Sequence, residues 1–417
     1  MIEPPSAPGE APARIASLDF VRGCAILGIL AINVTGFWGP EVASYSPRLP
    51  HPEPGATPWF AFAFVVFEGK MRALFTLLFG ASMMLFIAAA ERRGRNGDLM
   101  QARRLLWLAA FGYLHYLLLW WGDILFAYAV CGAAALVVRR LPAGALAAAG
   151  LVLFIGAHGL GSAAGLPGIA AEQRVLAGTA TPNERADEAA MTARIAGMVT
   201  YDERVLHQGF AQAAQTRWQQ RPAQPLDVAQ ITFSETLPLM LIGMALQISG
   251  FFAGGWNRRA LQRTAIIGIG AGGAMTLALL GWLWRHDFPP RAMFDAINHW
   301  TQVPHLLVAT GYAAALVLLW PRLAHRALAQ RIAAAGRTAF SNYIGTTIAM
   351  SAIFCGWGLG LADATPRAAL PLFVVLGWAA MLAWPQWWLA RFGQGPLEAL
   401  WRKLTWLGVE RRAQATA

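Results

Sequence analysis

Apolar residues along the chain form long runs, and short stretches of charged residues separate one run from the next. A bilayer core about 30 Å thick requires about 20 apolar residues in helical form. The pattern therefore predicts about ten helical spans. They are Leu18–Trp38, Met71–Ala90, Leu105–Trp121, Asp123–Val138, Leu141–Leu166, Ile231–Ala253, Ala265–Trp284, Gln302–Trp320, Phe340–Leu361 and Ala368–Ala390.

One apolar stretch is too long for a single span. A helix over Thr57–Ala90 would be about 51 Å long, which exceeds the thickness of the bilayer core. We therefore expect the aromatic segment Trp59–Phe67 to form a separate interfacial or re-entrant helix on the outer side. Small-residue runs such as Gly268–Gly273 favour close contacts between neighbouring helices.

Composition assigns the chain to the membrane. Of its 417 residues 57% are hydrophobic and only 13% are charged, whereas soluble domains carry about a quarter charged residues. The fold class is an all-α polytopic integral membrane protein. We divide it into an N-terminal bundle (1–166), a polar extracytoplasmic helical region (167–230) that we expect to cover an outer cavity, and a C-terminal membrane domain (231–417).

The net charge of +11 follows membrane topology and does not form a nucleic-acid-binding stripe. Basic residues concentrate in alternate connections, which the positive-inside rule assigns to the cytoplasm. The cytoplasmic groups include Arg92–Arg104, Arg258–Arg263 and Arg322–Arg337. Both termini are then cytoplasmic, and we expect a multi-pass protein of a bacterial inner membrane that contacts lipids and no nucleic acid.

The three cysteines give no sign of a metal centre or a disulfide framework. Cys24, Cys131 and Cys355 all lie inside apolar runs, and the sequence has no CxxC pair and no Cys/His cluster. No metal site is predicted.

Polar residues within the first span are candidates for function, because ionisable groups at membrane depth are costly. Asp19 and Arg22 lie at its inner end with a spacing that allows a local ion pair. They serve either as a topology anchor or as a site for an anionic phosphate group. Asn33 lies eleven residues further on, and its amide either joins two helices or acts as a catalytic donor.

His115 and Asp123 are the second candidate group. His115 lies near the middle of the third predicted span, where a structural and a catalytic role are both open. Asp123 follows a tight turn at Trp121-Gly122, and its carboxylate is suited to capping the next helix. From the helix geometry we expect electrostatic or water-bridged coupling between the two side chains and no direct contact.

A third group lies at the expected outer interface. Glu68 and Arg72 are four residues apart and are predicted to pair on one helix face. This would leave Lys70 available to a substrate or lipid phosphate. The alternative is a solvated interfacial cluster without further function.

Together the candidates predict a polar column across the membrane. Asp19 and Arg22 lie at its inner end, Asn33 and His115 at its centre, and Asp123, Lys70 and Arg72 at its outer end. Such a column suits movement of a substrate, or of a chemical group, from one face to the other.

Several motifs in the same order resemble the YeiB family of bacterial multi-pass membrane proteins. They are SLDFVRGCAILGILAIN from Ser17 to Asn33, KMRALFTLLFG from Lys70 to Gly80, His115 with WGDIL from Trp121 to Leu125, GRTAFSNY from Gly336 to Tyr343, and GPLEALW from Gly395 to Trp401. The resemblance covers nearly the whole chain.

The resemblance implies a function. The first helices of that family are similar to those of the transmembrane acyltransferases, which include heparan-α-glucosaminide N-acetyltransferases. Arg22 matches an arginine of bacterial O-acyltransferases, but Asn33 stands where many of those enzymes have a histidine. The heparan enzymes also have asparagine there and a histidine in the next loop, to which His51 corresponds at a different spacing.

The resemblance thus implies a transmembrane acyltransferase that uses cytoplasmic acyl-CoA, such as acetyl-CoA, and an unidentified extracytoplasmic acceptor. Arg22 would hold the CoA phosphates. Asp19, Lys70 and Arg72 are further candidate substrate-binding residues. His115 would be the general base with Asp123, and Asn33 would donate to the oxyanion. The alternatives are His51 as base, or a transporter or exporter of a small molecule or lipid-linked substrate. A homodimer is a further expectation.

Overall fold

The computed structural model describes residues 16–409, which form seventeen α-helices and no β-strand. The helices are α1 Ala16–Trp38, α2 Ala56–Val66, α3 Lys70–Glu91, α4 Gly97–Leu118, α5 Leu125–Val137, α6 Ala143–Leu176, α7 Pro182–His207, α8 Phe210–Gln220, α9 Gln224–Ile231, α10 Phe233–Ile248, α11 Arg258–Arg285, α12 Pro290–Asp295, α13 Gln302–Leu323, α14 Ala327–Arg337, α15 Ala339–Phe354, α16 Leu370–Phe392 and α17 Pro396–Trp406. The predicted all-α class is confirmed.

All ten predicted spans fall on helices, but fewer than ten helices have the length and composition of a full span. Among the described residues six qualify, or up to seven if the bent pair α9–α10 counts as one. The helix α5 has 13 residues and α15 has 16, and both are shorter than a bilayer core requires. The predicted number of ten spans is therefore not confirmed.

Large apolar side chains on the outer helices have no protein neighbour to cover them. Val152 on α6 is 71% exposed and Ile266 on α11 is 73% exposed. A water-soluble fold avoids such contiguous apolar surface, whereas lipid is its natural solvent. The protein is therefore a membrane protein with several transmembrane helices.

The aromatic segment before Lys70 forms a helix of its own, α2, as the sequence predicted. The helices α2 and α3 form one apolar stretch of 36 residues, Ala56–Glu91, with a local break at Gly69, whose φ is 65°. Helix α2 packs on α11 and contributes Phe64 to a buried cluster with Leu283 and Phe288. The aromatic side chains of α2 therefore pack against the bundle, and the expected interfacial or re-entrant position stays a prediction.

The polar region 167–230 is helical, as expected, but its start differs. Helix α6 continues through Pro167 to Leu176, so the predicted boundary at 166 falls inside a helix. Helices α7, α8 and α9 follow, and a capping box formed by Thr181 and Glu184 begins α7. Residues of α7 and α8 line a small cavity above the helix bundle.

Glycines set the closest helix crossings. A Cβ atom at Gly80 would lie 2.1 Å from the Met240 carbonyl oxygen, and one at Gly243 would lie 2.0 Å from that of Leu77. Helices α3 and α10 therefore meet with their backbones in contact. Gly268 is similarly close to the Leu307 carbonyl on α13, which confirms the predicted role of that small-residue run.

Candidate functional site

The site is centred on His115, which lies in the last turn of α4. Its Nδ1 is 2.8 Å from Oδ2 of Asp123, and its Nε2 is 3.1 Å from the hydroxyl oxygen of Thr347 on α15. The three residues are 2%, 4% and 0% exposed, respectively. A carboxylate, an imidazole and a hydroxyl thus form one continuous buried chain.

The direct contact between His115 and Asp123 corrects the expectation of a water-bridged pair. Residues 119–124 fold back against α4 before α5 begins at Leu125. Gly112, one turn before His115, permits this approach, because a Cβ there would lie 2.8 Å from Oδ1 of Asp123. His115 also lies at the end of its helix, where α4 stops at Leu118, and not at the middle as the predicted span implied.

Asp123 has two separate functions. Its Oδ1 accepts the backbone N–H of Phe126 at 2.9 Å, which caps the start of α5. Its Oδ2 faces His115. When the imidazole is neutral with its proton on Nδ1, that proton is donated to Asp123 and Nε2 is free to accept a proton.

Two aromatic residues flank the imidazole. The Tyr343 ring centroid lies 5.1 Å from that of His115, and the Trp120 centroid lies 6.4 Å away. The Tyr343 hydroxyl donates to the Gly122 carbonyl at 3.2 Å, and the Trp120 indole N–H donates to the Gly36 carbonyl at 2.8 Å. These hydrogen bonds hold both rings in place against the histidine.

An inner cavity of about 140 Å³ approaches the site from the side of the Arg22 end of α1. Three arginines line it: Arg22 on α1, Arg104 on α4 and Arg337, the last residue of α14. The Arg104 guanidinium lies 4.1 Å from the Trp401 ring centroid. Apolar and aromatic side chains form most of the remaining wall, which reaches Tyr343; they include Ile26, Ile29, Phe75, Phe79, Leu108, Ile124 and Leu125.

A second cavity, of about 30 Å³, is lined by Trp120 and is called the outer cavity. Trp120 and Trp121 form its floor, and Tyr201, Asp202 and Arg217 contribute polar groups from α7 and α8. A still smaller cavity of about 10 Å³ lies between the two and is lined by Asn33, Tyr343 and Thr347, among others. His115 lines none of these three cavities, but Thr347, which contacts its Nε2, lines the small one.

Asp19 and Arg22 lie in the first part of α1, and Asn33 lies further along the same helix. The predicted Asp19–Arg22 pair is present, with 3.4 Å between Oδ1 and Nη1. The second guanidinium nitrogen of Arg22 donates to the Ser82 hydroxyl at 2.7 Å. Asn33 lines the same small cavity as Thr347. It therefore lies near the buried hydrogen-bonded series of Asp123, His115 and Thr347.

Lys70 and Arg72 do not join this site. The Lys70 side chain is fully buried, and its ammonium donates to the Phe64 and Glu68 carbonyls at 2.8 and 3.2 Å. Arg72 forms two hydrogen bonds with Glu235, of 2.9 and 3.0 Å, and not the predicted pair with Glu68. Lys70 is therefore not free for a substrate, because its ammonium is bound by carbonyls of α2 and of the turn before α3.

Sequence analysis missed Thr347, Tyr343 and Arg104 as site residues. Tyr343 and Thr347 are four residues apart and so share one face of α15, which was the available signal. Arg104 was assigned only to topology. His51, the alternative base, lies on an exposed loop, and none of the cavities described above is lined by it.

A second polar cluster was also missed. His158 and His299 have ring centroids 5.8 Å apart, and Gly161 and Gly165 on α6 make room for His299 and Asp295. Within residues 16–409 no group of three or more His, Cys, Asp or Glu side chains is arranged to hold a metal ion. This cluster lies on helices apart from His115, and we assign it no part in the site.

Comparison with known proteins gives a consistent family but no described activity. A family described as protein of unknown function (DUF418) matches residues 246–408. The uncharacterized protein YeiB of Escherichia coli (strain K12) is 31% identical over 395 residues, which cover 94% of this chain and 96% of that protein. The uncharacterized protein YxaH of Bacillus subtilis (strain 168) is 27% identical over 421 residues, 97% of each chain. No solved structure matches the chain.

Proposed function

We propose that this chain, which belongs to the family of the YeiB protein, transfers an acyl group from acyl-CoA on one side of the membrane to an acceptor on the other. One observation carries the proposal. The buried His115–Asp123 pair contacts Thr347, and Thr347 lines a small cavity that borders both an inner cavity lined by arginines and an outer cavity lined by residues of α7 and α8. A base whose hydrogen-bond partner lies between two cavities suits a donor and an acceptor that arrive separately.

The chemistry of the inner cavity supports acyl-CoA as the donor. Arg22, Arg104 and Arg337 offer planar guanidinium groups, which bind phosphate with two parallel hydrogen bonds. The wall beyond them is apolar and aromatic and leads to Tyr343, 5.1 Å from the His115 ring. A ligand with phosphates at one end and a less polar arm ending in a thioester matches this sequence of groups.

The roles of the central residues follow from their contacts. Asp123 orients the imidazole through Nδ1 and stabilises its protonated form, as the acid does in a nucleophile–histidine–carboxylate triad. Nε2 then acts as the general base. Asn33, beside Thr347, supplies an amide that would donate to the oxyanion of the tetrahedral intermediate.

The location and orientation belong to the same proposal. Arg92, Arg93 and Arg95 between α3 and α4, together with the other basic connections, favour that side as cytoplasmic. The arginines of the inner cavity would then face the cytoplasmic pool of acyl-CoA. The membrane would be the inner membrane of a bacterium. The acceptor would then lie in the periplasm or at the periplasmic face of that membrane.

Transfer can be tested with purified protein inserted in one orientation into proteoliposomes. Radiolabelled acetyl-CoA is supplied on the side of the inner, arginine-lined cavity. A bacterial envelope extract on the other side serves as the source of acceptors. We expect label to become covalently attached to extract components, together with release of free CoA. Movement of unchanged labelled molecules without CoA release would instead indicate the transporter alternative.

Two matched histidine variants identify the base. General-base assistance contributes about 10²- to 10⁴-fold, so His115→Gln should lower transfer by that factor. His51→Gln, on the exposed loop, should leave transfer unchanged. Full transfer by the His115 variant and loss in the His51 variant would assign the base to His51.

A further inference from the structure

Among the described residues, the inner and outer cavities have no lining residue in common. The small cavity between them borders both. It shares Ile26, Ile29 and Tyr343 with the inner cavity and Phe37 with the outer cavity. A donor and an acceptor held in the two larger cavities would therefore be kept apart, with the small cavity between them.

Thr347 lies at this junction. Its hydroxyl oxygen is 3.1 Å from Nε2 of His115 and 3.1 Å from the Tyr343 carbonyl oxygen, so its hydrogen has two possible acceptors. The order hydroxyl, imidazole, carboxylate is the arrangement that activates a serine or threonine nucleophile. Asn33 lines the same cavity and offers a donor for an oxyanion formed there.

We propose that Thr347 is a covalent acyl carrier, an inference that rests on the acyl transfer proposed above. In the first half-reaction the Thr347 oxygen attacks the thioester carbonyl carbon while Nε2 of His115 takes the hydroxyl proton. The carbon–sulfur bond breaks, the sulfur receives that proton, and CoA leaves as a free thiol. The acyl group is then an oxygen ester on Thr347.

The second half-reaction returns the residue to its starting form. An acceptor hydroxyl or amine from the outer cavity attacks the ester carbonyl, and His115 takes the acceptor's proton. The bond between the acyl carbon and the Thr347 oxygen breaks, and that oxygen regains a proton from His115. The donor and the acceptor thus never need to be in contact.

The size of the junction cavity indicates the acyl group. A volume of about 10 Å³ is close to the space that one water occupies. A short acyl group such as acetyl requires the least displacement of the surrounding side chains. Acetyl-CoA is therefore the probe of choice.

The carrier can be trapped when the acceptor is withheld. Full-length protein in lipid nanodiscs is incubated with radiolabelled acetyl-CoA, denatured in acid, digested and analysed by mass spectrometry. We expect label on the peptide that contains Thr347, stable to neutral hydroxylamine as an oxygen ester is. Label released by neutral hydroxylamine would indicate a cysteine thioester and would overturn the proposal.

Substitutions provide the second measurement. Thr347→Val should abolish both trapped label and transfer while it keeps acetyl-CoA binding, and Thr347→Ser should restore part of both. Thr276→Val is the matched control, because Thr276 is also fully buried and its hydroxyl also bonds a carbonyl one helical turn earlier. This control should label and transfer like the unaltered protein.

The outcomes separate this inference from the proposed function. Transfer that continues at full rate in Thr347→Val, or transfer without any ester on Thr347, overturns the carrier and leaves the acyltransferase intact. Absence of acetyl-CoA binding and of transfer in the unaltered protein overturns both. If Thr347→Val does not fold, the position of the trapped label in the unaltered protein decides alone.

Discussion

Nδ1 of His115 lies 2.8 Å from Oδ2 of Asp123, and both side chains are buried where α4 ends and α5 begins. Eight residues separate them, yet one carboxylate both caps α5 and orients the imidazole. Local helix structure and the geometry of the candidate base are therefore coupled through a single side chain. This coupling leads to the first prediction.

Asp123→Asn should lower acyl transfer without a comparable loss of stability. The amide oxygen can still accept the Phe126 N–H, but an amide N–H turned toward His115 Nδ1 favours the wrong tautomer. Asp123→Ala should lose the cap as well, which costs about 0.5–2 kcal/mol. Transfer rates and chemical denaturation of both variants in parallel would check this. Equal stability losses with unchanged transfer would reduce Asp123 to a helix cap.

Arg22→Lys should weaken acetyl-CoA binding. A lysine keeps the charge but loses the planar pair of donors, and a hydrogen bond to a charged group contributes about 1.5–3 kcal/mol. We therefore expect affinity to fall roughly 10- to 100-fold, and further in Arg22→Ala. Equilibrium binding by calorimetry provides the measurement. Arg259→Ala, an exposed site at the start of α11, is the control and should bind normally.

If Arg22 is only an anchor for its contacts with Asp19 and Ser82, the result differs. Affinity for acetyl-CoA would then remain unchanged in both Arg22 variants. Thermal stability would fall instead.

The stability of the region above the bundle should depend on pH. Burial, and then the neighbouring Asp202, raise the pKa of Glu41 from 4.5 to about 7, although Arg221 opposes this. Between about pH 4.5 and about pH 7, Glu41 of the folded protein holds a proton that the same residue of the unfolded chain has released. The free energy of unfolding should therefore fall as the pH rises from about 4.5 to about 7.

Glu41→Gln should flatten this dependence, since the amide does not titrate. Thermal unfolding in nanodiscs across that interval provides the measurement. Glu184→Gln is a control, because the hydrogen bond from Arg174 lowers the pKa of Glu184 to about 2, below the interval. An unchanged slope in the Glu41 variant would assign the dependence to other groups.

Single introduced cysteines test the membrane orientation. Asn183→Cys at the start of α7 should react with an impermeant thiol reagent added to intact cells, and Arg92→Cys at the end of α3 should not. Both positions are exposed, whereas Cys131 and Cys355 are buried. Reaction of the Arg92 variant from outside would reverse the orientation and place the arginine-lined cavity on the wrong side for cytoplasmic acyl-CoA.

Lys70 illustrates what local sequence spacing cannot predict. Its position between Glu68 and Arg72 indicated an exposed charged cluster, but the ammonium is buried against backbone carbonyls. Arg72 meets Glu235, which is 163 residues away. Because a long side chain can reach several partners, only the packing of α3 against α10 decides which partner is used.

The sequence by itself determined the helical class, the helical positions of all ten apolar segments and the local Asp19–Arg22 pair. These features follow from hydrophobicity, periodicity and the i, i+3 spacing, which are properties of neighbouring residues. The tertiary structure alone decided that Thr347, 232 residues from His115, completes the buried polar chain, and that the arginines of α1, α4 and α14 line one cavity. Such contacts depend on how glycine-lined helices cross, and many crossings are compatible with the same apolar pattern.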